Sequence, residues 1–437
     1  MELASHVKLF EHQKESVIYT LKSDYVILAL EMGLGKTLSS IAVSVAMKSR
    51  TLVVCPAFLK YNWMQEYKKF TNLDSKSILV ISKPRQLKSI PKEVKVVIVN
   101  YERLNHWERI VEWKPQLVIS DEAHFLKNMK AQRTSHFHNM IIRSKPERLM
   151  LMTGTPVKNK VPDFYSLLLL CSYCPSKANG KSIRDKYKSE YSFSKHFTNE
   201  KVFSFNKGGR RVEVRKFEGV KNPQELKSYF RGKYLRRLTK QVIDLPEIRH
   251  KEVFANYDYD DSDLKEILEK HQSKMDGHIM KVKSGSAVAK APFTAEYAKE
   301  MHNESESPIV IFTDHIEPVK IIYNYLKKYK KKVEAITGAT PVEERQRIVN
   351  RFQEGKTDFI VATIGAASTG ITLTRSRDLI FNDLNYVPAE NEQASKRIHR
   401  IGQKNSCLIH IITGSYVDSL INKNLLSIQT TINQIVE

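Results

Sequence analysis

The stretch GluMetGlyLeuGlyLysThr, residues 31–37, has the composition of an anion cradle. The apolar run Tyr25–Leu30 before it reads as a buried strand, and Leu38–Met47 after it reads as a helix. A tight turn between the two lets the backbone N–H groups of Gly33, Leu34, Gly35, Lys36 and Thr37 face one anion, with the positive end of the helix dipole behind them. Met32 belongs to the same turn. Lys36 offers a mobile cation to the outer phosphates of a nucleotide, and the Thr37 hydroxyl suits Mg²⁺. Leu30 stands where the strict P-loop pattern has Gly, so a chance Gly-Lys-Thr turn is the alternative for this stretch taken alone.

Other constellations bear on that choice. Asp121-Glu122 closes the apolar run Leu117–Ser120. The first carboxylate can hold Mg²⁺ through water, and the second can orient or deprotonate an attacking water. Thr153-Gly154-Thr155 follows Leu149–Met152 and carries hydroxyls that could sense an outer phosphate, or is a turn that ends a strand. Gln13, in Phe10–Gln13, could present a donor and an acceptor to the edge of adenine. Arg397 and Arg400 lie three apart, which predicts one helical face, either a solvated basic face or a pair of arginine fingers.

The elements that position these groups are legible as short apolar runs separated by amphipathic stretches. Val26–Leu30, Leu52–Cys55, Ile78–Ile81, Val96–Val99, Leu117–Ser120 and Leu149–Met152 predict a parallel sheet covered on both faces. Ligands of such sheets bind beyond the carboxyl ends of the strands, where the phosphate loop, Asp121-Glu122 and Thr153-Gly154-Thr155 fall. A second series comprises Ile309–Phe312, Val333–Ile336, Phe359–Thr363, Leu379–Phe381 and Leu408–Ile412, with no Gly-Lys-Thr of its own. Between the two series the rhythm breaks. Phe164–Cys171 reads as a buried helix, and residues 181–237 are strongly basic, with Arg210, Arg211, Arg215, Lys216, Arg236 and Arg237 interleaved with Phe203, Phe205, Phe217 and Tyr234. Such residues grip phosphates and stack on exposed bases, or the aromatics anchor a small helical subdomain. Gly208-Gly209 suggests a hairpin turn, Ser284-Gly285-Ser286 another turn, and Asn303–Pro308 a linker. The expected fold is α/β, with a nucleotide-binding lobe at 1–160, a basic, mainly helical insertion at 161–304 and a second lobe at 305–437.

Composition narrows the class. The chain has 437 residues, 41% hydrophobic and 27% charged, typical of a globular protein with two or three cores. Its 71 basic residues against 48 acidic ones leave a net charge of +23, which points to a polyanionic partner. No apolar run approaches the roughly 20 residues of a membrane helix. No basic and apolar leader opens the sequence, so a cytoplasmic location is expected. Cys171 and Cys174 form a CxxC without a second pair at zinc-finger spacing, and read with Cys55 and Cys407 as buried thiols without a disulfide partner.

Taken in order, Phe10–Gln13, GluMetGlyLeuGlyLysThr, ValValCysPro (53–56) with Trp63 and Glu66, ValAsnTyrGlu (99–102), AspGluAlaHisPheLeuLysAsn (121–128), MetThrGlyThrProValLysAsn (152–159), LeuArgArg (235–237) with Leu245-Pro246, Gly370–Leu373 and ArgIleHisArgIleGlyGln (397–403) form a series. It resembles the motif series of the SWI/SNF-type branch of superfamily 2 helicases, most similar to the HARP-like annealing and fork-remodelling members. The resemblance implies two RecA-like lobes with ATP and Mg²⁺ between them, and a motor that ratchets along one strand of duplex or branched DNA as the cleft closes and opens. Position by position it implies an adenine contact at Gln13, phosphate and Mg²⁺ contacts at Lys36 and Thr37, the metal-holding and water-activating pair at Asp121 and Glu122, and coupling at Thr153, Thr155 and Gly370. It further implies a γ-phosphate contact at Gln393 and fingers at Arg397 and Arg400. The sequence departs from the family at Leu30, usually Asp, at Ser395-Lys396, usually an acidic pair, and at Tyr386-Val387, where a Trp usually stands before Pro388. A DNA-stimulated ATPase, monomeric and acting in branch migration, fork regression or annealing, is the expected function, and a phage or bacterial source is plausible. The alternatives are a related motor that displaces a DNA-bound complex such as RNA polymerase, and an RNA helicase, whose motif series ends differently.

Overall fold

The computed structural model describes all residues except 32, 88–89, 155–160, 175–181, 208–209, 243–244, 256–274, 368–370, 415–417 and 419–437. It divides into two compact units, one containing the described residues up to 242 and the other those from 245 to 418.

The first unit is built on a sheet of β1 (Tyr25–Leu30), β2 (Thr51–Cys55), β3 (Ile78–Val80), β4 (Val96–Asn100), β5 (Leu117–Ser120), β6 (Arg148–Met152) and β9 (Tyr234–Arg237). The spatial order is β3-β4-β2-β5-β6-β1-β9, with every pairing parallel. All six residues of β1 and all five of both β2 and β4 are buried, as expected of strands covered on both faces. Val26 and Leu28 pack with Val53, Ile98, Ile119 and Met150 in one core. The helices Glu11–Lys22, Lys36–Met47 and Lys60–Phe70 belong to this unit.

The second unit has a parallel sheet in the order β10-β15-β14-β11-β13-β12, comprising β10 (Ile248–Phe254), β11 (Ile309–Thr313), β12 (Val333–Ile336), β13 (Phe359–Thr363), β14 (Asp378–Phe381) and β15 (Cys407–Thr413). Side chains alternate across it with a period of two. Val310 and Phe312 enter one core with Ile360 and Ala362, whereas Ile309 and Ile311 enter another with Phe359 and Val361.

Residues 161–304, expected as one insertion, are shared between the two units. The reason is strand pairing: β9 extends the first sheet alongside β1, and β10 extends the second alongside β15. Helices are joined here by an antiparallel pair of strands, β7 (Asn199–Lys207) with β8 (Arg210–Glu218), and the suggested turn at Gly208-Gly209 lies outside the described residues. Ser284-Gly285-Ser286 is not a turn. It lies inside the helix Met275–Ser305, where Ala287, Ala291, Ala295 and Ala298 are fully buried and small side chains let the helix approach the sheet closely. Among the described residues no helix is long and apolar enough to cross a membrane.

Candidate nucleotide site

The phosphate loop joins β1 to the helix Lys36–Met47, in the expected place. Gly33 has φ 84° and Gly35 φ 73°, both in the left-handed region that glycine enters without steric cost. Gly35 also lies against Gln13, since a Cβ there would meet Gln13 Nε2 at 2.2 Å. The loop is braced from the helix Glu11–Lys22. His12 Nε2 lies 3.0 Å from the Leu34 carbonyl, Gln13 Nε2 donates to the same oxygen at 3.4 Å, and Gln13 Oε1 accepts the Phe10 N–H at 3.0 Å. Gln13 is buried and its amide is engaged within the loop, while Phe10 is exposed. Lys36 Nζ donates to the carbonyls of Leu30 at 2.9 Å and Glu31 at 3.3 Å, folded back along its own loop. Met32 lies outside the described residues.

Asp121 follows β5 and is held from several directions. Its N–H donates to the Val54 carbonyl at 2.8 Å, its Oδ2 accepts the Trp63 indole N–H at 2.9 Å, and its Oδ1 accepts the Glu122 N–H at 3.0 Å. Burial first, and then the neighbouring Glu122 carboxylate, push the Asp121 pKa up to about 6, with the Trp63 hydrogen bond and then Lys36 opposing them. Glu122 has φ 52° and ψ 50°, and its Oε2 lies 3.2 Å from His124 Nδ1. Thr153 follows β6, fully buried, with its N–H donating to the Leu28 carbonyl at 3.1 Å. Thr155 lies outside the described residues.

These groups suit a divalent cation with a phosphate. Two carboxylates stand side by side on one turn in a buried setting, and Lys36 is the cation whose field reaches Asp121. A hard ion bound to oxygen ligands would relieve that repulsion. Asp121 and the Thr37 hydroxyl are the donors of the right kind.

In the second unit the segment 371–373 and the stretch 396–403 are tied together. The helix Pro388–Ser395 ends before the two arginines, so Arg397 and Arg400 do not share a helical face. The backbone passes into tighter turns, and the Arg397 carbonyl accepts the Leu373 N–H at 2.9 Å. Arg400 Nη1 donates to Thr372 Oγ1 at 2.9 Å. His399 Nε2 donates to the Pro246 carbonyl at 2.7 Å, joining two stretches that the sequence places 153 residues apart. Gln403 is buried and closes the turn, donating to the Ser376 carbonyl at 2.9 Å. Gln393 is 4% exposed, and its Nε2 has no hydrogen-bond partner among the described residues. Gly370 lies outside them.

The basic residues of the connector separate into groups. Arg215 is exposed on β8 and donates to Tyr191 Oη at 2.7 Å and Glu200 at 3.0 Å, and Lys216 Nζ lies 5.5 Å from the centre of the Phe203 ring. Arg210 and Arg211 open the same strand. Arg236 and Arg237 are in β9, and the Arg237 guanidinium forms an ion pair with Glu15. Sequence reasoning gave no role to several groups that the structure brings to the site. The Trp63 N–H and the Tyr101 hydroxyl both reach Asp121, and the signal that could have found them was their place just after β2 and β4 in the motif series. A further polar network in the second unit, Lys283–Asp314 with His315–Asp383, was also unread.

Two family models match the chain, and they meet further along it than the two structural units do. The model of the SNF2-related domain matches residues 12–288, and that of the helicase conserved C-terminal domain matches residues 294–402. The DNA annealing helicase and endonuclease ZRANB3 of Mus musculus is 27% identical over an alignment covering 94% of this chain and 39% of that protein. The SWI/SNF-related matrix-associated actin-dependent regulator of chromatin subfamily A-like protein 1 homolog of Caenorhabditis elegans is 28% identical, over 93% of this chain and 58% of its own length. The chain thus spans 39% and 58% of the lengths of these two curated relatives. The solved Sulfolobus solfataricus SWI2/SNF2 ATPase core in complex with dsDNA aligns at a TM-score of 0.45, with 23% identity over 98% of this chain and 93% of that one.

Proposed function

Because the chain belongs to the SNF2-related domain family, we propose that it is an ATP-driven DNA translocase that remodels branched DNA by branch migration, fork regression or strand annealing. The observation that carries this reading is the pairing of a glycine-shaped anion loop with a buried, braced Asp121-Glu122 turn in one unit. The curated relatives named for DNA annealing supply the direction of the reaction class.

The loop N–H groups of residues 33–37 bind the phosphates of ATP, and Lys36 exchanges its bonds to the Leu30 and Glu31 carbonyls for the outer phosphate oxygens. Thr37 and Asp121 are the proposed holders of Mg²⁺, which when bound would neutralise charge on the bridging and outer phosphates. Glu122 orients the attacking water and takes its proton. Gln13 stays with the adenine end, where it also braces the loop. Gln393, whose amide has an unspent donor, is proposed for the γ-phosphate side, and Arg397 and Arg400 for the charge that develops in the transition state. Thr153, Thr155 and Gly370 are proposed to couple these events to DNA. Support for the DNA side is the charge of +23 and the basic hairpin, in which Arg210, Arg211, Arg215 and Lys216 are the proposed phosphate contacts, with Arg236 and Arg237 secondary to them.

The test is ATP hydrolysis with duplex, forked and four-way DNA, in the wild type and in Lys36→Ala. Stimulation by DNA, strongest with branched substrates and abolished in the variant, is the expected result. A wild-type rate indifferent to DNA, or an active Lys36→Ala, would remove the proposal.

A further inference from the structure

Asp121 accepts hydrogen bonds from two buried aromatic side chains as well as from its own turn. Its side chain accepts from Trp63 Nε1 at 2.9 Å, and its main-chain carbonyl accepts from the Tyr101 hydroxyl at 2.6 Å. The Tyr101 oxygen also lies 2.8 Å from Ser120 Oγ, and its ring stacks on Phe125 with centroids 5.6 Å apart and planes 5° from parallel. Both donors are buried, Trp63 at 2% and Tyr101 at 0% exposure. They arrive on different elements: Trp63 from the helix Lys60–Phe70 that follows β2, and Tyr101 from the short turn Tyr101–His106 that follows β4. Between their attachment points lies the peptide that leads into Glu122, which holds a left-handed conformation at φ 52°. A non-glycine residue holds that conformation only where its surroundings over-determine it.

We infer that Trp63 and Tyr101 form a positioning clamp on the Asp121-Glu122 turn, Trp63 setting the orientation of the metal-holding carboxylate and Tyr101 holding the backbone that aims Glu122. Neither residue touches nucleotide or metal; each acts through the carboxylates. The inference rests on the ATPase reading for its consequence in catalysis, but the clamp is a property of the free protein. An outer partner that orients a ligand typically matters by 10- to 100-fold in metal affinity or activity. Indole and phenol donors suit the task because each has one N–H or O–H on a rigid ring, and burial removes the competition of water.

The first experiment uses the full chain without nucleotide or metal. With indole ¹⁵N-labelled tryptophan, Trp63→Phe identifies the resonance among those of Trp107 and Trp113. Asp121→Ala is expected to shift that resonance and Glu122→Gln to leave it in place; an unmoved resonance in Asp121→Ala overturns the clamp. The second measures Mn²⁺ binding to the ADP complex by EPR in Trp63→Phe and Tyr101→Phe. The half-saturating Mn²⁺ should rise about 10- to 100-fold in Trp63→Phe while metal-free ADP binding stays at the wild-type level, and kcat for ATP should fall by a similar factor at unchanged KM in both variants. Trp63→His, which keeps a ring N–H, should recover part of the loss. Wild-type Mn²⁺ binding in Trp63→Phe, or wild-type kcat in Tyr101→Phe, overturns the proposal. So does loss of metal-free ADP binding together with a lowered Tm, which would assign the two rings to packing alone. If the wild type proves not to hydrolyse ATP, the ATPase reading fails while the resonance test still decides the clamp.

Discussion

At Gly35 two constraints meet that a single methyl group would violate. The residue holds φ 73°, and its missing Cβ is the space occupied by the Gln13 amide at 2.2 Å. Gly35→Ala must therefore both strain the backbone, at about 1 kcal/mol, and displace Gln13 from the loop it braces. The expected outcome is a loss of ATP binding of at least tenfold with a lowered Tm, measured by calorimetry and thermal unfolding. Wild-type affinity would show that the loop takes another path. The residue scale also marks the limit of what sequence conveys. Gly33, Gly35, Lys36 and Asp121-Glu122 were legible because their types and spacing follow from the chemistry. That Trp63 donates to Asp121, or that His12 meets the Leu34 carbonyl, depends on which side chains converge after folding, and spacings of 58 and 22 residues carry no such information.

Elements were legible where their period was unambiguous. All eleven apolar runs expected as strands are strands, because a fully buried parallel strand is a short apolar run with polar ends. The strands β9 and β10 were missed because both lie at sheet edges and carry charges: Arg236 and Arg237 in one, Arg249, His250 and Lys251 in the other. Helix–helix packing in the first unit offers a test at this scale. His138, on the helix Gln132–Ser144, lies 3.0 Å from Ser166 Oγ on the helix Asp163–Cys171, and burial lowers its pKa from 6.5 to about 4. The folded state thus resists the proton that the unfolded chain accepts. The resulting stability is present above pH 6.5 and is lost as pH falls from there through about 4. Its full size is on the order of 3 kcal/mol, and His138→Gln should remove that part of the pH dependence. Urea midpoints at pH 7.5, 5.5 and 4.5 would check it, since the wild type should weaken relative to the variant as pH falls. Parallel curves would contradict the assignment.

At the scale of the whole molecule, charge is the dominant feature. An excess of +23 predicts binding to nucleic acid that weakens steeply with salt. The share owed to the β7–β8 hairpin can be separated. Replacing Arg210 and Arg211 by Ala should flatten the log–log salt dependence of DNA affinity by roughly 0.9 per lost phosphate contact. ATP hydrolysis without DNA should be nearly unchanged, because the hairpin does not contribute to the phosphate loop. A binding curve with the wild-type slope would place the phosphate contacts elsewhere.

The edge strand of the first sheet has a consequence for how such a chain can grow. In the order β6-β1-β9, the chain leaves the sheet on one side of the strand that bears the phosphate loop and re-enters it on the other. Its two stems are therefore pinned about 14 Å apart, two strand spacings across and three residues along the parallel strands, whatever lies between them. The closure cost of a longer excursion rises only with the logarithm of its length. An accessory module grafted between residues 153 and 233 would thus be held next to the same strand at nearly constant expense to the fold. A fragment cut at residue 160, by contrast, would strip the cover from β1 and leave it an open template for aggregation. A place in this chain that tolerates new parts is thus also one that a truncation would harm.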